Sequence, residues 1–158
     1  MITESNPFSG MLSILKQDAG KYRINQFYMQ GEITMKLIET QYSKTAKGHY
    51  SPGVLHNGIL YISGQISRNL DTKEKPEKFE DEVKQALDNM ELVLKTAGLS
   101  KEKVLSIRAF IPSIELWDEF NSAYASWFGG HKPARTVVPC RDLHYGCRVE
   151  IEAIAAAD

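Results

Sequence analysis

The chain of 158 residues carries 19 Lys plus Arg against 20 Asp plus Glu, and 42% of it is hydrophobic, which suits one globular domain with its own core. The near-zero charge argues against a broad nucleic-acid footprint, and no apolar run approaches the roughly 20 residues of a membrane span. Two cysteines, Cys140 and Cys147, are too few for a disulfide framework, so free thiols in a cytoplasmic setting are expected.

Residues 1–34 are interrupted by Ser9-Gly10, Asp18-Ala19-Gly20 and Gln30-Gly31-Glu32, and they hold no sustained period. They read as an N-terminal extension ahead of a domain at 35–158. A signal peptide is not expected, because Glu4 stands where a basic residue belongs and no long apolar run follows. One Arg and three acidic residues do not fit an Arg-rich transit peptide either. Two readings of the segment stand side by side. It is a poorly ordered native extension, or Gln30-Gly31-Glu32 translates a purine-rich ribosome-binding site and Met35 is the true start.

From there the elements follow as β-β-β-α-β-α-β-β. A short strand is predicted over 35–40. Val54-Leu55-His56 and residues 59–63 flank Asn57-Gly58, the strongest two-residue hairpin signal, because both turn residues take positive φ. Gly64 ends or kinks the second of these strands. Residues 67–78 are polar and loop-like, with Pro76 as a breaker. Over 79–97, Phe79, Val83, Ala86, Leu87, Met90, Val93, Leu94 and Ala97 recur at helical steps, and Gly98 is the stop. A strand over 104–111 should place Leu105, Ile107, Ala109 and Ile111 on one face. Ser113 then caps a second helix, whose buried stripe is Leu116, Phe120, Ala123, Tyr124, Trp127 and Phe128. Residues 134–138 form a strand. A last strand over 148–155 alternates Val149, Ile151, Ala153 and Ala155 with Glu150 and Glu152. This is an α+β pattern with two helices on one face of a sheet. The other face needs water or a second copy of the chain.

Four stretches carry a resemblance. They are residues 50–54, Leu60-Tyr61-Ile62-Ser63-Gly64-Gln65, Gln85-Ala86-Leu87-Asp88-Asn89 with Ala97-Gly98-Leu99, and Pro133-Ala134-Arg135-Thr136 with residues 149–155. In combination they resemble the YjgF/RidA family, also called endoribonuclease L-PSP, from about Met35 to the C-terminus. The resemblance implies a chorismate-mutase-like fold and a homotrimer with active sites in clefts between subunits. It also implies hydrolysis of 2-aminoacrylate and 2-aminocrotonate, or their imines, to 2-oxo acids and ammonia, with no cofactor and no metal.

Such a substrate presents a carboxylate beside a C=N carbon. A planar guanidinium grips a carboxylate with two parallel bonds, and Arg135 matches the family's substrate-binding arginine. Hydrolysis also needs a group that handles the proton of the attacking water. Glu150 matches the family's acidic residue, while Glu152 reads as the solvated face of the last strand. If residues 141–145 turn a hairpin, Arg135 and Glu150 lie nearly opposite each other across it. Tyr50, Ser63, Gly64 and Asn121 match pocket-lining positions. The Ser63 hydroxyl and nearby backbone N–H groups are placed to meet a ligand, and Tyr124 is assigned to core packing. Val137 stands where well-known members carry a cysteine, and the loop 139–147 differs from theirs. A metal site at Cys140, His144 and Cys147 lacks a fourth ligand. Two further functions compete: a non-catalytic trimer that binds small 2-oxo acids, and an endoribonuclease or translation inhibitor. The even charge and the lack of a histidine pair disfavour the latter.

Overall fold

Asn57 and Gly58 take φ of 49° and 72°, and the hairpin they close is the start of a six-stranded sheet. The structure is a computed structural model in which residues 35–43 and 48–157 are described. Both readings of residues 1–34 fall outside them. The strands are β1 (Met35–Ile38), β2 (Gly53–His56), β3 (Ile59–Ile66), β4 (Val104–Ile111), β5 (Ala134–Pro139) and β6 (Glu150–Ala156). Their order across the sheet is β1-β2-β3-β6-β4-β5, and all neighbours are antiparallel except β4 and β5. Two helices, α1 (Phe79–Thr96) and α2 (Trp117–Phe128), cover one face. The fold is therefore the α+β arrangement expected.

The core lies between that face and the helices. Val83, Leu87, Met90 and Leu94 of α1 and Phe120 and Phe128 of α2 pack on Leu60, Ile107, Ile111 and Ile151. Gly98 stops α1 at φ 79°, a left-handed position that glycine enters without steric cost. Ser113 accepts from the Glu115 N–H and caps a short 3-10 turn, Ile114–Leu116, that leads into α2.

Two expectations are corrected. Leu105 is 48% exposed instead of sharing the inner face of Ile107. A register break between Val104 and Ser106 on β4 turns Val104 inward in its place. The β5–β6 hairpin does not form either. β5 runs parallel to β4, which lies between it and β6. Residues 140–149 therefore cross over β4 instead of turning back on β5.

One buried charge ties the helical layer to the last strand. Glu82 of α1 is fully buried. It accepts from Ser67 Oγ at 2.5 Å, from the Arg148 N–H at 2.8 Å and from Arg148 Nε at 2.6 Å. Its place in the helical stripe would ordinarily take an apolar residue, and these bonds satisfy it there.

Candidate functional site

Glu150 opens β6. It pairs with Ile66 of β3 on one side and Phe110 of β4 on the other. Between the pairs Ile62–Ala153 and Gln65–Ile151, Ser63 and Gly64 stand against Glu152 alone. This is a β-bulge, which bends the strand and releases backbone from the ladder. A Cβ on Gly64 would lie 1.9 Å from Glu150 Oε1, so the glycine is what lets the carboxylate lie against the bulge. A cavity of about 680 Å³ forms here, lined by Tyr50, Ser63, Gly64, His144, Tyr145, Glu150 and Glu152 among others. Four expected site residues, Tyr50, Ser63, Gly64 and Glu150, thus share one cavity.

Burial, and then the negative charge of Glu152, push the Glu150 carboxyl above its ordinary range, with His144 opposing them. Such a carboxyl holds its proton to higher pH and is better matched to proton transfer. Glu152 itself is paired with Arg108 at 2.7 Å. The expected role of the Ser63 hydroxyl changes. It donates to the Ser51 carbonyl at 2.7 Å, and the Ser63 N–H donates to the Pro52 carbonyl at 3.0 Å. Ser63 therefore fixes the loop that carries Tyr50 and keeps only acceptor capacity for a ligand.

Arg135 and Asn121 lie elsewhere. Arg135 pairs with Ile107 of β4 and shares its inward, helix-covered face. Arg135 Nη2 donates to Asn121 Oδ1 at 2.9 Å. The guanidinium carbon lies 4.5 Å from the Tyr124 ring centroid, with Trp117 at 5.7 Å and Phe120 at 5.8 Å. Trp117, Phe120, Asn121 and Tyr124 recur at steps of three and four, so α2 offers one face to the arginine. Aromatic faces hold a guanidinium without neutralising it. The Tyr124 hydroxyl is buried with no hydrogen-bond partner among the described residues. Burial raises its pKa to about 12, with Arg135 pulling the other way. The ring packs in the core, as its stripe position suggested, and it is also the nearest aromatic surface to Arg135.

Arg135 and Glu150 of one chain therefore do not meet. Ile107 and Phe110, their partners on β4, are three residues apart in regular pairing and point to opposite faces. Among the described residues no three His, Cys, Asp or Glu side chains converge as metal ligands. Sequence reasoning missed the aromatic support of Arg135, although the α2 periodicity held that signal. It also missed Tyr145, which the loop's irregularity concealed.

The sequence model of the family described as endoribonuclease L-PSP matches residues 40–157. The chain belongs to this family, the YjgF/RidA proteins. As a YjgF/RidA chain it is 36% identical to a rat protein named 2-iminobutanoate/2-iminopropanoate deaminase, over 78% of this chain and 90% of that protein. It is also 36% identical to a RutC family protein of Aquifex aeolicus, over 77% of this chain and 98% of the relative. A Rid-family structure from Yersinia pestis aligns at TM-score 0.73 and 40% identity, covering 78% of this chain and 99% of its own. Escherichia coli TdcF, solved with bound serine, aligns at TM-score 0.73 and 32% identity, covering 78% and 99%. No helix among the described residues is long and apolar enough to cross a membrane.

Proposed function

We propose that this YjgF/RidA protein hydrolyses 2-imino acids, and their enamine tautomers, to 2-oxo acids and ammonia in a homotrimer. The observation that carries the reading is a half-buried carboxyl with a raised pKa, Glu150, set against the backbone of a bulge in an open cavity. Water adds to the imine carbon while Glu150 takes one of its protons and passes it to the nitrogen; Glu150 then moves the remaining hydroxyl proton to the same nitrogen, which leaves as ammonia as the C=O forms. The tetrahedral intermediate carries the substrate carboxylate, which Arg135 grips bidentately. No external oxidant, reductant or cofactor enters the balance.

A neighbouring protomer supplies Arg135, because the arginine and Glu150 of one chain face opposite sides of the sheet. The exposed Tyr61, Leu105 and Ile154 of the face away from the helices suit burial against other copies of the chain. The rat relative's name and the serine bound to TdcF agree with a small amino-acid-like ligand.

The test couples a dehydratase that releases 2-aminoacrylate to semicarbazide trapping. The protein should speed conversion to pyruvate and suppress the semicarbazone, and Arg135→Ala should abolish this. Failure of the wild type to accelerate the reaction, with carboxylates still bound, would leave a binding protein instead.

A further inference from the structure

A second cavity of about 320 Å³ adjoins the Glu150 cavity and shares Tyr50, Gly64, Ile66 and Tyr145 with it. The two are opposite in charge. Among the described residues, the Glu150 cavity is lined by two carboxylates and no Lys or Arg. Its neighbour is lined, among the described residues, by Arg68 and Lys73 and by no Asp or Glu. We propose that this second cavity is a subsite for a distal carboxylate, so that the protein accepts 2-imino acids with a second acid group on the side chain. The proposal rests on the deaminase reading of the Glu150 cavity and names its substrate class.

Arg68 is held as a binding group would be. Its guanidinium carbon lies 4.1 Å from the centroid of the Tyr145 ring, and its Nε donates to the Lys73 carbonyl. These contacts orient the planar fork without neutralising it, and among the described residues no carboxylate pairs with it. The backbone beneath is fixed from the core. Asn89, buried on α1, donates to the carbonyls of Ile66 and Arg68, both at 2.9 Å. Asn69 Oδ1 accepts from the N–H groups of Asp71 at 2.9 Å and Thr72 at 3.0 Å, which shapes the loop that returns Lys73 toward the cavity. An oriented guanidinium with no counter-ion is a ready site for a planar anion.

Position then selects the anion's source. Tyr50 and Tyr145 belong to both cavities, so a substrate whose imine carbon lies beside Glu150 extends its side chain between the two rings toward Arg68. A short alkyl side chain leaves this volume to water. A side chain ending in a carboxylate fills it and meets the cation. The distal group takes no part in the hydrolysis and leaves unchanged on the 2-oxo acid.

Stable products allow binding to be tested apart from turnover. Calorimetry on the full chain compares 2-oxoglutarate with 2-oxobutanoate. The wild type should prefer the dicarboxylate by about tenfold, the order of one charge-assisted hydrogen bond. Arg68→Met should remove that preference, and Arg68→Lys, which keeps charge without the fork, should retain part of it. In turnover, with imines made from glutamate and alanine by an amino-acid oxidase, Arg68→Met should lower the dicarboxylate-to-monocarboxylate ratio of kcat/KM through KM. A wild type without the preference, or a folded Arg68→Met that keeps it, overturns the subsite. So does 2-oxoglutarate that binds without displacing 2-oxobutanoate. The two readings fail separately. Turnover without an Arg68-dependent ratio removes the subsite alone, and Arg68-dependent binding without turnover removes the deaminase reading alone.

Discussion

Arg148 reaches the buried carboxylate of Glu82 twice, from its backbone N–H at 2.8 Å and from Nε at 2.6 Å. Its Nη2 also donates to the Glu77 carbonyl at 2.7 Å. Glu150 opens β6 two residues further on, so the clamp fixes where the candidate base enters the sheet. Burial alone would raise the Glu82 pKa. The bonds from Ser67 and Arg148 outweigh it and hold the carboxyl below its ordinary range.

Glu82→Ala should therefore cost about 3 kcal/mol of stability, near the low end for a broken buried pair because Arg148 keeps some contact with water. The sign with pH follows from the lowered value. The folded protein binds this proton less tightly than the unfolded chain. The clamp's contribution is thus full above the ordinary glutamate value, about 4.3, and is lost as pH falls through the lower folded value. Urea unfolding of both proteins at neutral and acidic pH measures this. A gap that stayed constant down to about pH 3 would contradict the clamp.

Gly64→Ala separates site from fold. The new Cβ would sit 1.9 Å from Glu150 Oε1, the far end of a flexible side chain, so the carboxylate swings away and the backbone stays. The midpoint of unfolding should move by less than about 1 kcal/mol. Deaminase turnover should fall at least about tenfold, since a general base contributes roughly 10²–10⁴. A variant with full activity would show that the Glu150 position against the bulge is immaterial.

The fold was legible because its signals are local. Asn57-Gly58 set the hairpin through positive φ, and the apolar stripe from Phe79 to Leu94 set α1. Tyr50, Ser63, Gly64 and Glu150 were legible as family positions, and they share a cavity. The relation between Arg135 and Glu150 was not. Strand order decides whether two residues meet, and a chain that crosses over reads locally like one that turns back. Leu105 failed for a similar reason, since one bulge reverses the alternation that assigned its face. Glu82 was hidden because its partners, Ser67 and Arg148, are far from it along the sequence.

Glu152→Gln should move the acidic limb of the kcat/KM profile downward. Burial raises the Glu150 pKa first, and the Glu152 charge raises it further. Removing that charge lowers it, and it also frees the Arg108 guanidinium, now 2.7 Å from Glu152, to favour the Glu150 anion. As a base, Glu150 acts when deprotonated, so the variant should retain activity at a lower pH than the wild type. A limb that stayed in place or rose would assign the titration to another group.

Mixing two inactive variants tests the shared cleft. Arg135 lies on the face covered by α2 and Glu150 on the other, so in the proposed trimer each complete site would take one residue from each of two protomers. Arg135→Ala and Glu150→Ala homotrimers should each lack activity. Dissociated and reassembled together at equal amounts, they form sites at random. A site is intact when its arginine comes from a Glu150→Ala chain and its glutamate from an Arg135→Ala chain. Each choice has even odds, so about one quarter of the wild-type activity should return in a closed symmetric assembly. Size-exclusion with light scattering confirms that the mixture is trimeric. Recovery near zero in verified mixed trimers would place both residues of a site in one chain, against the strand order and register described above.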